Sequence, residues 1–263
     1  MARSLAGGLI ANGWRAGRIL LADPDPAQRA AVEKRLRVRT YAANADVVAR
    51  AEVLVLAVKP QVLPAVAAEI APSLRRHRPL VVSIAAGIRI ADLERWFGAP
   101  LPIIRVMPNT PALIHAGAAG LYANPLADQA MRETAESILR AVGIAVWLAD
   151  EAQLDVVTAL SGSGPAYFFL VMEALERAAI GEGLDPAAAR LLTLETGYGA
   201  AKMALESGED PATLRARVTS PGGTTERALQ ILAEGGLVSL FQRALRGATA
   251  RSCELADMFG RNA

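Results

Sequence analysis

The sequence contains very little of the chemistry that metal sites and disulfides need. Its 263 residues include one cysteine, Cys253, and two histidines, His77 and His115. A single cysteine cannot form an internal disulfide, and two histidines do not assemble a zinc-type ligand set. We therefore expect no metal site and a protein of the reducing cytoplasm.

Excess charge and long apolar runs are also missing. The net charge is +2, and the 28 basic residues, of which only three are lysines, are scattered along the chain. This balance argues against a nucleic-acid partner. Apolar runs, including the one that follows Met1, are interrupted by glycine, proline or charge well before the ~20 residues of a membrane span. We expect neither an export signal nor a membrane segment.

The composition is that of a globular protein, with 52% hydrophobic residues, and its pattern changes near residue 150. Before that point, β-rich runs alternate with helical patterns. Strands are predicted at 18–22, 53–58, 80–84, 103–107, 118–122 and 145–148, and helices from near Pro26, Gln61, Ile90 and Leu126. The alternation predicts an α/β fold, with a doubly wound parallel sheet over residues 1–150.

After residue 150 the β signal disappears. Helices are predicted at 154–160, 166–179, 187–206 and 237–256, separated by turns rich in glycine and proline. Residues 151–263 are therefore predicted to form an all-helical domain.

Residues 218–229, Val-Thr-Ser-Pro-Gly-Gly-Thr-Thr-Glu-Arg-Ala-Leu, are the most informative motif. Ser220 is a favourable N-cap and Pro221 suits the first helical position, so we expect a helix to begin here. Gly222 and Gly223 leave backbone N–H groups uncovered, and a carboxylate can bind them at the positive end of the helix. The alternative is an ordinary capped helix after a loop.

A ligand of a doubly wound sheet lies beyond the carboxyl ends of the strands, so the residues after each predicted strand are candidates for a cofactor site. They are Asp23, Lys59-Pro60, Ala85-Ala86-Gly87 and Pro108-Asn109-Thr110. Asp23 follows a strand, where dinucleotide folds place an acid on the ribose hydroxyls. Simpler roles stay open: Asp23 also suits a turn, Lys59 a solvated strand end and Asn44 a helix cap.

Six stretches of the sequence are informative when taken together and in order. They are Leu56-Ala-Val-Lys-Pro60, Val82-Ser-Ile-Ala-Ala-Gly87, Arg105-Val-Met-Pro-Asn-Thr-Pro111, Leu160-Ser-Gly-Ser-Gly-Pro-Ala-Tyr167, Ala200-Ala-Lys-Met203 and Thr219-Ser-Pro-Gly-Gly-Thr-Thr225. In this order and at this spacing the chain resembles the pyrroline-5-carboxylate reductases over almost its entire length. That family makes proline by reducing a cyclic imine with a nicotinamide cofactor.

The resemblance implies residues for each ligand. NADPH or NADH would be bound by Met1, Asp23, Asn44, Ala57, Val58, Lys59, Pro60, Ala85, Ala86 and Asn109. The substrate would be held by Glu151, Ser220, Gly222, Gly223, Thr224 and Thr225. In that set the backbone of residues 222–224 would bind the substrate carboxylate, and the Thr225 hydroxyl, as the catalytic group, would accept a hydrogen bond from the iminium N–H. Glu151 also suits the simpler role of complementing a helix dipole.

Two departures from the family pattern affect these expectations. Asp23 stands where members that prefer the phosphorylated cofactor often have a small hydroxyl residue, and its charge favours NADH. Family members also begin with a strand and a Gly-x-Gly loop before the helix that starts here at Met1. We therefore expect a gap at the centre of the sheet, in-frame codons for about ten to fifteen residues upstream of Met1, and weak cofactor binding without them.

Two other functions stay open. A dehydrogenase related to the β-hydroxyacid dehydrogenases would use a helix-borne lysine as proton donor, and Lys202 is the only lysine of the helical half. A non-enzymatic dinucleotide-binding protein would fit the missing loop. The apolar helical half favours a homodimer or a larger homo-oligomer, as the resemblance also implies.

Overall fold

The structure is a computed structural model that describes residues 1–261. Seven strands lie in this range: β1 (Leu20–Ala22), β2 (Arg39–Tyr41), β3 (Val53–Leu56), β4 (Leu80–Ser83), β5 (Ile103–Met107), β6 (Gly117–Ala123) and β7 (Gly143–Trp147). The helices of the first half are α1 (Ala2–Ala11), α2 (Pro26–Leu36), α3 (Asn44–Val48), α4 (Leu63–His77), α5 (Ile90–Phe97) and α6 (Gln129–Arg140). Those of the second half are α7 (Gln153–Val157), α8 (Gly164–Gly181), α9 (Pro186–Glu206), α10 (Pro211–Arg217), α11 (Thr224–Glu234) and α12 (Leu237–Arg261).

Contacts divide the chain into two compact units. The first, which we call the sheet unit, comprises Met1–Ser163 and the C-terminal segment from Gly247, and the second, the helical unit, comprises Gly164–Arg246. The last part of α12 therefore belongs to the sheet unit. The domain division at residue 150 stays a prediction.

The main sheet of the sheet unit has five strands in the order β3-β4-β5-β6-β7. Strands β3, β4 and β5 are parallel, whereas β6 runs antiparallel to β5 and parallel to β7. The prediction of a parallel sheet is thus confirmed for β3–β5 and wrong for the pair β5–β6. The nine residues of segment 108–116 are too few for the helical crossover that a parallel neighbour requires, so the chain reverses direction.

Helices cover both faces of this sheet. Successive strand residues point to opposite faces, and in β4 the side chains of Leu80 and Val82 join one apolar cluster while Val81 joins the other. The first cluster is completed by α1 and α6, and the second by α3, α4 and α5. This three-layer packing confirms the predicted α/β fold and places the strand ends at the edges of a rigid core.

Strands β1 and β3 have no common strand partner in the described part of the chain. β1 pairs only with β2, in a separate parallel two-stranded sheet, and β3 pairs only with β4. Leu5 and Leu9 of α1 pack in the same cluster as Ile19, which precedes β1, and as Val53 and Val55 of β3. The expected interruption of the sheet is therefore observed next to α1.

The helical unit buries almost none of its own side chains. Only Gly164 and Ala189 are buried between Gly164 and Arg246, although α8 and α9 pack on each other. Large apolar side chains such as Phe168 and Phe169 remain 69% and 65% exposed. The all-helical prediction is confirmed for this part of the chain.

One helical segment is long and apolar enough to cross a membrane by length and composition. It runs from Gln153 to Gly181, with a mean hydropathy of 1.3 in its most apolar window. Gly162, Gly164 and Pro165 interrupt its apolar sequence, but the structure has helical turns on both sides of Ser163.

Candidate active site

The sheet unit brings most of the predicted cofactor residues to one edge. Lys59 and Pro60 follow β3, Ala85 and Ala86 follow β4, and Asn109 follows β5. Because these three strands are parallel and adjacent, their carboxyl ends lie side by side, which is where a doubly wound fold binds its ligand. Asp23 follows β1, in the separate two-stranded sheet.

The loop after β4 contains a run of small residues, Ala85-Ala86-Gly87. Ala85 is buried, Ala86 is exposed, and Gly87 has φ +72°, which favours glycine. Lys59, after the neighbouring strand, is exposed, and among residues 1–261 no carboxylate forms an ion pair with it. This edge therefore offers a flat surface of small residues beside an accessible cation.

Asp23 stabilises a turn through one carboxylate oxygen, and its other carboxylate oxygen is available to a ligand. Its Oδ1 accepts a hydrogen bond from the N–H of Asp25 at 2.9 Å, so the simpler role as a turn former is observed. Arg29 donates through Nη1 to the carbonyl oxygens of Asp23 and Pro24, at 2.8 and 3.0 Å. The arginine thus lies beside the acid and lowers the cost of an additional negative charge there.

Three further predicted residues have defined backbone positions. Asn44 is the first residue of α3, whose N-cap is Ala43, and its amide donates to Glu69 Oε2 at 3.1 Å. The capping alternative for Asn44 is therefore wrong, because the helix begins at this residue and not after it. Asn109 Oδ1 accepts from the N–H of Ala118 at 2.9 Å and ties the loop after β5 to β6. Met1 is the N-cap of α1, at the positive end of that helix.

Glu151 is held inside the sheet unit by two donors. Its Oε1 accepts from Arg105 Nη1 at 3.0 Å and from the backbone N–H of Ile90 at 2.8 Å. Arg105 is only 4% exposed, so this ion pair is largely buried. Removing either partner would leave an uncompensated buried charge. Glu151 therefore connects β5 to the N-terminus of α5, which follows the loop after β4.

In the helical unit, the motif at 218–229 folds differently from the prediction. Helix α11 begins at Thr224 with Gly223 as its N-cap, not at Ser220. The N–H of Gly223 donates to the carbonyl of Ser220 at 3.0 Å, and Gly222 has φ +70°. With Pro221 before it, Gly222 makes this a type II turn, and the Pro-Gly pair favours that turn over an earlier helix start.

The turn leaves different N–H groups uncovered from the pair that the sequence predicted. Gly222 donates to the Glu226 carboxylate at 2.8 Å, and Gly223 donates to the carbonyl of Ser220. The N–H groups of Thr224, Thr225 and Glu226 have no partner among the described residues. A Cβ at position 223 would lie 2.6 Å from Ser220 Oγ and 3.0 Å from the Ser220 carbonyl oxygen, so any other residue there would require Ser220 to shift.

Lys202, the candidate of the alternative dehydrogenase function, lies on the surface of α9. Its Nζ is 3.9 Å from Glu206 Oε1, one helical turn away, and both side chains are more than half exposed. This is an ordinary surface pair of a helix.

Sequence reasoning missed a buried polar cluster that attaches α12 to the sheet unit. Ser252 Oγ donates to Asp155 Oδ1 at 2.6 Å, and Cys253 Sγ lies 3.5 Å from Asp155 Oδ2. Burial, followed by the charge of Asp155, raises the pKa of the Cys253 thiol. The one available signal was an acid, Asp155, inside the apolar run Leu-Asp-Val-Val; its partner lies 97 residues away.

Comparison with known families agrees with this architecture. Residues 1–87 match the family model described as NADP oxidoreductase, coenzyme F420-dependent, and residues 151–255 match pyrroline-5-carboxylate reductase dimerisation. A Rossmann-like sheet unit with these matches defines an oxidoreductase of the NAD(P)-dependent class.

Individual relatives narrow that class to one family. The chain is 52% identical to the pyrroline-5-carboxylate reductase of Pseudomonas aeruginosa over 99% of this chain and 95% of that protein. It is 39% identical to that of Pasteurella multocida over 98% and 95%. The structure of the Coxiella burnetii reductase superposes with a TM-score of 0.93 at 44% identity, covering 97% of this chain and 94% of that one. The chain belongs to the pyrroline-5-carboxylate reductase family.

A more distant relative was solved with its cofactor. The Plasmodium falciparum pyrroline carboxylate reductase with NADP bound has a TM-score of 0.83 and 28% identity, over 96% of this chain and 93% of that one.

Proposed function

We propose that this protein transfers a hydride from NADPH or NADH to 1-pyrroline-5-carboxylate and so forms L-proline, acting in the cytoplasm. Residues 1–150 would form the dinucleotide-binding domain and residues 151–263 the substrate and dimerisation domain. One structural observation carries the proposal. The Ser220–Gly223 turn is followed by three uncovered N–H groups at the start of α11, those of Thr224, Thr225 and Glu226, in a chain that matches one of these reductases over 99% of its length.

The carboxyl edge of the sheet fits a nicotinamide dinucleotide. Ala85 and Ala86 place no large side chain against a flat ring, and the exposed Lys59 suits a phosphate or a ribose. The free oxygen of Asp23 suits ribose hydroxyls. When bound, the cofactor would supply the hydride. The residues named here, with Met1, Asn44, Ala57, Val58, Pro60 and Asn109, would bind and orient it.

The turn in the helical unit would fix the substrate. The N–H groups of Thr224 and Thr225 point out of the positive end of α11, where a carboxylate binds well. The N–H of Gly222 would join them once the Glu226 carboxylate moves away, and the turn itself would be held by the bond from the Gly223 N–H to the Ser220 carbonyl. Anchoring the carboxylate limits which carbon of the ring faces the hydride donor.

Thr225 would be the catalytic residue. Its hydroxyl would accept a hydrogen bond from the iminium N–H and stabilise the positive charge on the nitrogen. No strong acid is required, because an imine that is already protonated is the electrophile. Positioning and electrostatic stabilisation would therefore supply most of the acceleration.

A second copy of the chain would cover the apolar surface of the helical unit. Phe168, Phe169 and Leu170 of α8 and Leu191 and Leu192 of α9 are all more than half exposed. The dimerisation family match spans these helices, including the segment that is apolar enough for a membrane. We therefore propose a homodimer or larger homo-oligomer, and neither a membrane nor a nucleic acid as partner.

A steady-state assay with 1-pyrroline-5-carboxylate and each reduced cofactor tests the function. The proposal expects proline formation with NADH, NADPH or both. Oxidation of a β-hydroxy acid without imine reduction would support the alternative dehydrogenase. Cofactor binding without any turnover would support a non-enzymatic binding protein.

A further inference from the structure

The last two turns of α12 pack against the loop that follows β4. The ring of Phe259 lies so close to Gly87 that a Cβ at this position would be 3.2 Å from Cδ2 of the ring and 3.4 Å from Cε2. The same Cβ would lie 3.6 Å from the backbone nitrogen of Ala256, which is fully buried. Phe259 also packs on the apolar cluster that includes Ala85 and Ile88.

Polar contacts fix the same helical turns to both ends of α5. Arg89 pairs with Asp257 at 2.7 Å, and Arg95 donates to the carbonyl of Gly260 at 2.6 Å. Burial works against the charged form of Arg89, but the hydrogen bond and charge of Asp257, with the charges of Asp155 and Asp92, outweigh it and raise the pKa. The ion pair with Asp257 therefore favours the cationic form of Arg89.

The loop is also held from its other end. The N–H of Ile90 donates to Glu151, whose carboxylate is paired with the buried Arg105. The backbone from Ala85 to Ile90 is thus fixed by Phe259 at Gly87 and by Glu151 at Ile90. The side chain of Ala86, which directly precedes the first of these contacts, is exposed.

We propose that Phe259 is a positioning residue for the cofactor, acting through Gly87 on the loop after β4. This rests on the proposed function in one respect, that the loop binds the nicotinamide cofactor. The Arg89–Asp257 pair is nearly half exposed and contributes little by itself, whereas the aromatic ring fills the space beneath a glycine. Losing the ring lets the loop move, which alters the surface offered to the cofactor.

The position of Phe259 predicts a specific kinetic signature. Phe259 touches the cofactor loop in the sheet unit, while the proposed carboxylate anchor belongs to α11 in the helical unit. A loosened loop should therefore weaken cofactor binding and leave the KM for the imine unchanged. A general loss of stability would instead lower the fraction of active protein, and with it the apparent kcat, and would leave both constants unchanged.

The test compares Phe259→Ala with Met258→Ala, a neighbour on α12 whose side chain is 49% exposed. In Phe259→Ala, the amides of residues 86–90 should exchange hydrogen at least about tenfold faster, because the local opening costs less free energy. The dissociation constant of NADH or NADPH, measured by direct binding, should rise about five- to twentyfold. Met258→Ala should match the wild type in both measurements.

A second variant covers the case in which Phe259→Ala does not fold. Phe259→Leu keeps apolar volume but removes the ring, and it should show the same two changes at smaller size. Gly87→Ala supplies an independent check, because its added methyl group meets the ring. Its cost in free energy of unfolding should be smaller in the Phe259→Leu background than in the wild type.

Each outcome decides the proposal. Unchanged exchange at residues 86–90, or faster exchange with an unchanged cofactor dissociation constant, overturns it. A wild-type chain that binds neither cofactor overturns it as well. If the wild type binds cofactor but does not reduce the imine, and Phe259→Ala still weakens that binding, the proposed reaction fails and the positioning role stands.

Discussion

The two units of this chain differ in how far they bury their apolar side chains. In the sheet unit, Leu63, Leu93 and Phe97 are fully buried by the chain itself. In the helical unit, Phe168 and Phe169 are about two-thirds exposed. The hydrophobic effect stabilises the first unit from within, whereas the second retains a large apolar surface for association. Catalytic activity should therefore depend on assembly through the helical unit.

The same contrast holds for the polar groups of the two candidate sites, the one at the edge of the sheet and the one at the start of α11. At the edge of the sheet, Glu151 and Asn109 already have protein donors. In the helical unit, the N–H groups of Thr224 and Thr225 have no partner in the described residues. In the proposed function, the sheet unit would supply a fixed frame for the cofactor, and the helical unit would supply open donors for the substrate carboxylate.

The largest expected effect comes from placing a charge on the apolar helical surface. Phe169→Asp should turn the oligomer into a monomer and abolish turnover, because a buried unpaired carboxylate costs several kcal/mol at an interface. Sedimentation velocity measures the mass. Glu182→Lys, in the turn after α8, changes charge by a larger amount and should leave the oligomer intact. An active, monomeric Phe169→Asp would refute the assembly requirement.

The next effect concerns Thr225. Thr225→Val removes the hydroxyl without changing the size of the side chain, and turnover should fall roughly ten- to thousandfold, as for the loss of one hydrogen bond made in the transition state. The melting temperature should change little, because Thr225 is not buried. Thr224→Val is the matched control. Wild-type turnover by Thr225→Val would exclude this residue from the mechanism.

The next expected effect concerns cofactor selectivity and the charge of Asp23. Asp23→Asn keeps the turn to Asp25 but removes the negative charge, so it separates the two roles of this residue. The preference between the two cofactors should shift toward NADPH by about 1–3 kcal/mol, because the removed charge no longer repels the 2′-phosphate and charge pairs across a binding interface couple by about this much. The ratio of kcat/KM for the two cofactors measures the shift. Asp25→Asn should not reproduce it.

The sequence predicted some elements of this structure correctly and missed others. Strand β5 occurs at the predicted residues, and α2 and α5 begin at Pro26 and Ile90 as expected, because strong apolar periods and N-terminal signals mark them. Strand β2 was missed because a three-residue, mostly polar edge strand has no period to detect. Helix α10 was missed because its seven residues are also too few to show a clear helical period.

The roles of the candidate site residues stay predictions, and their contacts were not predictable from the sequence. The motif at 218–229 predicted a helix start with free N–H groups, yet that start was placed at Ser220 because Ser-Pro also fits a helix cap. The type II turn depends on the positive φ of Gly222, which a sequence does not reveal. The contact of Phe259 with Gly87 joins residues 172 positions apart, beyond the reach of any local pattern.

The smallest expected effect comes from Glu226. Its carboxylate accepts a hydrogen bond from the Gly222 N–H and, in the proposed function, would compete with the substrate carboxylate for it. Glu226→Gln should therefore lower the KM for the imine about threefold, the scale of an exposed charge interaction, with kcat unchanged. Glu234→Gln removes the same charge at the far end of α11 and serves as control. A raised KM would mean that Glu226 supports the turn instead of competing at it.

The most direct test of the account follows the hydride itself. The protein is incubated with 1-pyrroline-5-carboxylate and a reduced nicotinamide cofactor that carries deuterium at both C4 positions, and the product is examined by mass spectrometry. The account predicts L-proline with a single deuterium on the ring carbon that belonged to the imine, formed by the wild type and strongly reduced in Thr225→Val. Unlabelled proline, or no proline from a chain that binds cofactor, would contradict it.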